Sequence, residues 1–261
     1  MNQPRANHGG KIIPPNPTPF LTAEWRSLLM LNYEVDADTL KPYQPAGVEL
    51  DLFEGRALVS LVGFRFLNTR VRGFAIPLHR NFDELNLRFY VLRRMEDGSV
   101  RRGVTFIREI VPRWAIAAVA RWVYDEPYLS LPMRHRLELE QATQRIEYSF
   151  RYGGYWHQIS GVPSGDWSPA EAEPATAFIT EHYWGYTRRG PEDTSEYQVV
   201  HPTWQVQTVL LSRFDGDAGR LYGPEFVTPL SKAPLSAFLA EGSAVAVYPG
   251  MALRGVINRT A

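Results

Sequence analysis

Apolar and polar residues alternate most regularly between positions 84 and 91. Glu84, Asn86, Arg88 and Tyr90 fall on one side of an extended chain and Leu85, Leu87, Phe89 and Val91 on the other. The pattern predicts a β-strand. Comparable strand-like runs recur over residues 28–35, 57–65, 84–93, 104–111, 145–152, 177–187, 197–200, 205–213 and 243–247. Turn signals separate many of them: Glu96-Asp97-Gly98-Ser99, Gly153-Gly154, Asp215-Gly216-Asp217 and Glu241-Gly242. Helices are predicted over 113–123, entered through Pro112, and over 234–240, with a single turn at 38–41 before Pro42. Many short strands with few helices predict a mainly β (α+β) fold whose antiparallel sheet closes on itself or packs as a sandwich.

The polar stretches set the boundaries. Residues 1–19 contain five prolines and read as a disordered or extended lead-in, and 20–261 read as a single domain. The Pro-rich stretch 161–175 reads as a loop, either a surface connection or a lid over one mouth of the sheet.

Charge and composition narrow the class. The chain balances 28 basic against 28 acidic residues, so no long-range field draws a nucleic-acid backbone or an anionic membrane. Cysteine is absent, which removes disulfides, thiolate nucleophiles and cysteine metal sites and fits a reducing, cytoplasmic setting. No run is apolar for long enough to span a bilayer. Only Lys11, Lys41 and Lys232 are lysines, so amine chemistry has three candidates.

Three segments carry candidate chemistry. The Glu84 row faces either solvent or a covered interior. In the interior Glu84 and Arg88 could pair directly, and the choice of Asn86 and Tyr90 over lysine or serine favours that placement. Arg108 and Glu109 point to opposite faces of one strand, so one of them is buried or at a rim if the strand is central. His182, Trp184 and Tyr186 share a face, which reads first as a satisfied aromatic cluster. The histidines show no local metal-ligand spacing, and no phosphate loop, nucleophile elbow or dinucleotide fingerprint is present. No metal or cofactor is expected.

Four stretches carry a resemblance: 31–36 (LNYEVD), 82–91 (FDELNLRFYV), 108–113 (REIVPR) and 181–186 (EHYWGY). Through them the chain resembles the YqjF-like domain family of the acetoacetate decarboxylase-like superfamily. The resemblance implies a closed, mostly antiparallel β-barrel around a small-molecule cavity, with Arg26 and Glu84 at positions matching a decarboxylase arginine and pocket glutamate. It also implies a Schiff-base lysine after the Arg-Glu pair, and here Arg113 follows Pro112 instead. Arginine supplies no neutral primary amine, so imine chemistry is not expected there. Lys232 is the remaining lysine deep in the domain.

The expectation that follows is a cavity protein for a small, anionic metabolite. Glu84 is its acid or base, and Arg26, Asn86, Arg88, Tyr90 and Arg113 are its ligand-binding residues. A ligand sensor without turnover and a protein-docking domain are the rivals, and a homo-oligomer is compatible with either.

Overall fold

The computed structural model describes residues 18–75, 77, 79–112, 127–139 and 144–254. Residues 1–17 of the expected lead-in and the whole of the expected 113–123 helix lie outside the described residues. Fifteen strands form one sheet: β1 (Leu21–Val35), β2 (Glu49–Leu50), β3 (Ala57–Val71), β4 (Phe74–Ala75), β5 (Phe82–Arg94), β6 (Val100–Val111), β7 (Tyr128–Ser130), β8 (Met133–Glu138), β9 (Arg145–Tyr152), β10 (Tyr155–Pro169), β11 (Trp184–Arg188), β12 (Asp193–Val200), β13 (Gln205–Asp215), β14 (Ser236–Val247) and β15 (Met251–Arg254). The fold is mainly β.

Seven of these strands pair in a ring. The order β12-β11-β6-β5-β3-β1-β14 returns on itself because β12 also pairs with β14, through Val199–Val247 and Val200–Ala246. From β14 the sheet continues through β13, β10, β9 and β8, and this extension packs over the outside of β5. Leu85, Leu87, Phe89 and Val91 are fully buried there, in one core with Ile146, Tyr148 and Phe150 of β9 and Ile159 of β10. Each such side chain contributes roughly 1.5–3 kcal/mol when removed from water. The other row of β5 faces into the ring, so neither face is a solvated one.

Two irregularities set which residues face inward. In β1, Ser27 takes a left-handed φ of 54° where the register against β3 shifts, and Gly242 opposite takes φ of 80°. A Cβ at Gly242 would lie 2.0 Å from the Trp25 carbonyl oxygen, so only glycine fits. In β6, Arg88 pairs with Phe106 but Leu87 pairs with Arg108, which leaves Ile107 as an extra residue. Residues directly opposite in an antiparallel pair share a face. The slip therefore turns Val104 and Phe106 inward on one side of Ile107 and Glu109 inward on the other.

Several sequence expectations change. Residues 177–187 are not one strand: Pro174–Thr180 is a helix with Pro174 in its first turn, and β11 starts only at Trp184. Residues 234–240 are not a helix. Despite their alanines and leucines they enter β14, where pairing with both β1 and β13 overrides local propensity. Glu241-Gly242 lies within β14 rather than ending a strand. The 161–175 loop is mostly the second half of β10. Its pairing with β9 stops at Gly161, so Pro163 sits where β10 has a partner on one side only, a place that tolerates proline.

Candidate functional site

The inward face of the ring surrounds a cavity of about 130 Å³, and each of the seven ring strands contributes to its wall. Sites for drug-sized ligands run to ~300–1,000 Å³, so this space is small by comparison. The walls are mainly aromatic: Trp25 of β1, Phe64 and Phe66 of β3, Phe106 of β6 and Trp184 of β11, with Trp204 beyond β12. Against this apolar lining the polar groups stand out.

β5 delivers three of them in sequence. Glu84, Asn86 and Arg88 all line the cavity, and the first two are buried. Asn86 Nδ2 donates to Glu84 Oε1 at 3.0 Å. Arg88 turns away: its guanidinium lies over the Tyr90 ring at 5.7 Å and donates to the Ile179 carbonyl at 3.3 Å. That carbonyl belongs to the last turn of the Pro174–Thr180 helix, where carbonyls lack helical donors. The direct Glu84–Arg88 pair is thus replaced by Glu84–Asn86 and Arg88–Ile179 contacts. Arg88 Nε and Asn86 Oδ1 are buried and have no protein partner among the described residues.

Tyr90 shares this face but stands behind the cavity wall. Its hydroxyl lies 2.5 Å from Ser60 Oγ, which in turn donates to Asn32 Oδ1 at 2.6 Å, and Asn32 Nδ2 donates to Ser236 Oγ at 3.0 Å. The chain of contacts ties β5, β3, β1 and β14 together. From β6, Glu109 is a second buried carboxylate on the wall, while Arg108 is on the outer face.

Arg26 stands elsewhere. Trp25 faces the cavity, so its neighbour faces outward, where Arg26 pairs with Glu24 at 2.8 Å and donates to the Gly242 carbonyl at 3.2 Å. It does not line the cavity. Arg113 lies outside the described residues.

Among the polar groups on the wall that the sequence-derived set lacks in this role, His182 has the most extensive contacts. His182 sits in the connection between the Pro174–Thr180 helix and β11, not on a strand face with Trp184 and Tyr186. Its Nε2 lies 3.0 Å from Asp51 Oδ2, and the same oxygen accepts from Arg102 Nε at 2.6 Å. Burial holds the imidazole pKa down, to about 4. Asp51 pulls it up, and Arg102 and Arg88 add to the lowering. Burial also works to raise the Asp51 pKa, but the hydrogen bonds from His182 and Arg102 outweigh it and the net direction is down. Asp51 and His182 are 131 positions apart, and no local spacing announces the pair. Tyr186, by contrast, donates to Glu196 away from the cavity.

The comparisons with known proteins agree with this architecture. The model of the DUF2071 family, described as an uncharacterized conserved protein, matches residues 22–244. The uncharacterized protein YqjF of Bacillus subtilis (strain 168) is 37% identical over 75 residues, a match spanning 28% of this chain and 31% of that one. Among solved structures, acetoacetate decarboxylase from Legionella pneumophila superposes with a TM-score of 0.65 at 14% identity, over 98% of this chain and 94% of that chain. The enduracididine biosynthesis enzyme MppR complexed with pyruvate gives 0.61 at 16% identity, over 92% and 91%. At these identities the likeness is one of fold.

Proposed function

Because the chain belongs to the DUF2071 family and shares its fold with acetoacetate decarboxylases, we propose that it holds a small carboxylate-bearing metabolite inside a closed barrel, antiparallel except where β6 and β11 run parallel rather than antiparallel as the sequence suggests, and acts on it without a Schiff base. The observation that carries this reading is the run Glu84, Asn86, Arg88 along the wall of one small, largely apolar cavity. Arg88 supplies the cation for the carboxylate, with its Nε left without a partner among the described residues, and Glu84 supplies an acid or base beside it. The aromatic walls take the apolar body. The fold neighbour solved with pyruvate supports a ligand of this size and charge.

The lysines support the absence of an imine step. Lys41 is exposed and paired with Asp38, and Lys232 is exposed beyond the Val227–Ser231 helix. Neither lines the cavity, and no lysine occurs anywhere in residues 42–231.

A panel of short carboxylic, 2-oxo and 3-oxo acids tests the reading by calorimetry and by chemical assay of each acid. At least one acid should bind saturably. Arg88→Met should weaken it by about tenfold or more, equivalent to about 1.4 kcal/mol. Glu84→Gln should keep binding and lose turnover. Unchanged affinity in Arg88→Met, or no binding by any acid, would overturn the proposal. Binding without turnover in the native protein would make it a carrier or sensor.

A further inference from the structure

His182 is held in a way that a packed core histidine does not need. Three segments far apart in the chain converge on it: Asp51 from the loop after β2, Arg102 from β6, and the connection leading into β11. Tyr90 packs on its ring at 4.7 Å and Phe178 at 5.2 Å, which fixes the plane of the imidazole. A carboxylate on Nε2 holds the proton there, so Nδ1 presents a bare lone pair. Nδ1 is buried, without a protein partner among the described residues, on a side chain that lines the cavity.

Three of the unpartnered atoms on lining side chains, those of Asn86, Arg88 and His182, define what would satisfy them. Arg88 Nε is a cationic donor, and a carboxylate answers it. Asn86 Oδ1 and His182 Nδ1 are acceptors, which a carboxylate cannot answer. A ligand that meets all of them carries an O–H donor close to its carboxylate.

Resting on the carboxylate reading above, we propose that His182 is the hydrogen-bond acceptor of the cavity and that the ligand is a small hydroxy acid whose hydroxyl is received at Nδ1. The hydroxyl donates its hydrogen bond to Nδ1 while Nε2 keeps its own proton on Asp51, so the ring receives the ligand without changing charge. The charged groups around the ring are Asp51, which favours the imidazolium, and Arg102 and Arg88, which oppose it. The neutral acceptor form therefore persists across ordinary pH.

Matched acids separate this inference from the one beneath it. Calorimetry compares lactate with propionate, 3-hydroxybutyrate with butyrate, and mandelate with phenylacetate. The hydroxylated member of at least one pair should bind about tenfold or more tightly. His182→Phe should level that pair while leaving the affinity of the deoxy acid unchanged. If both members of every pair bind alike, His182 is not the acceptor and the carboxylate reading survives. If no member of any pair binds, this inference falls, and the carboxylate reading falls with it only when the 2-oxo and 3-oxo acids also fail to bind. A second arm needs no ligand and no substitution at His182. Imidazole ¹⁵N shifts of the labelled full chain should show a neutral ring, protonated at Nε2 and bare at Nδ1, from pH 8 to pH 5. A proton on Nδ1 at pH 6 overturns the proposal even if His182→Phe fails to fold.

Discussion

Glu196 has a side chain with no solvent exposure, held by Arg101 at 2.6 Å, Arg93 at 3.1 Å and the Tyr186 hydroxyl at 3.0 Å. Removing its charge leaves two guanidiniums facing each other in a partly buried setting. Glu196→Gln should therefore lower stability by roughly 3 kcal/mol, read as a fall in urea midpoint. His182 makes a prediction of a different kind. Its folded-state pKa of about 4 lies below the ordinary 6.5, so the unfolded chain binds the extra proton first. Stability is then fully present above about pH 6.5 and is lost as pH falls through about 4, by roughly 3 kcal/mol for a shift of this size. Urea titrations at pH 7, 6, 5 and 4 should show that slope, and His182→Phe should flatten it. The lowered pKa of Asp51 acts in the same direction further toward acid.

At the level of single elements, the close approach of the two layers is the sensitive point. A Cβ on Gly63 of β3 would fall 2.7 Å from the Tyr148 ring and 2.9 Å from Ile159, the residues by which β9 and β10 cover the ring. Gly63→Ala should cost about 1–3 kcal/mol by forcing those strands outward, measurable as a lowered melting temperature. Elements were legible in the sequence where one face had one purpose. β5 is readable over 84–93 of its Phe82–Arg94 span because its apolar row meets the outer layer and its polar row meets the cavity, so strict alternation survives. β9 was recovered to the residue. The Pro174–Thr180 helix and the first half of β14 differ from the sequence pattern because Phe178 and Ile179 look like strand residues and Ala237 and Leu239 like helix residues, whereas the second half of β14 agrees with the expected 243–247 strand. Of the candidate site, the placement of Glu84, Asn86 and Arg88 on one face is legible in the sequence and the Asp51–His182 pair is not. The row lies in one local period, whereas the pair exists only once the ring has formed.

At the scale of the molecule, the ring of pairings rests on a short junction, two residue pairs between β12 and β14. The absence of cysteine makes that junction easy to test. The double variant Val200→Cys, Ala246→Cys places two thiols directly opposite each other, on positions that do not line the cavity. Oxidation should give a single intramolecular cross-link by mass spectrometry and raise stability by roughly 4 kcal/mol for a loop of this length. A reduced, unlinked product under oxidising conditions would show that β12 and β14 stand apart in solution. The same enclosure explains why an aromatic wall can carry two buried carboxylates, Glu84 and Glu109. They come from neighbouring strands whose outer faces are sealed, and both line the cavity on the inner side.

The extra residue at Ile107 has a practical consequence for redesign. It inverts the reading frame of alternation halfway along β6, so a library that diversifies every second residue from Val104 onward would leave the chamber after Phe106 and randomise the seal instead. A frame-aware library takes Val104 and Phe106, skips Ile107 and Arg108, and resumes at Glu109. Chosen that way, the interior can be recoded for a new occupant while the surface that binds the outer layer keeps its native residues.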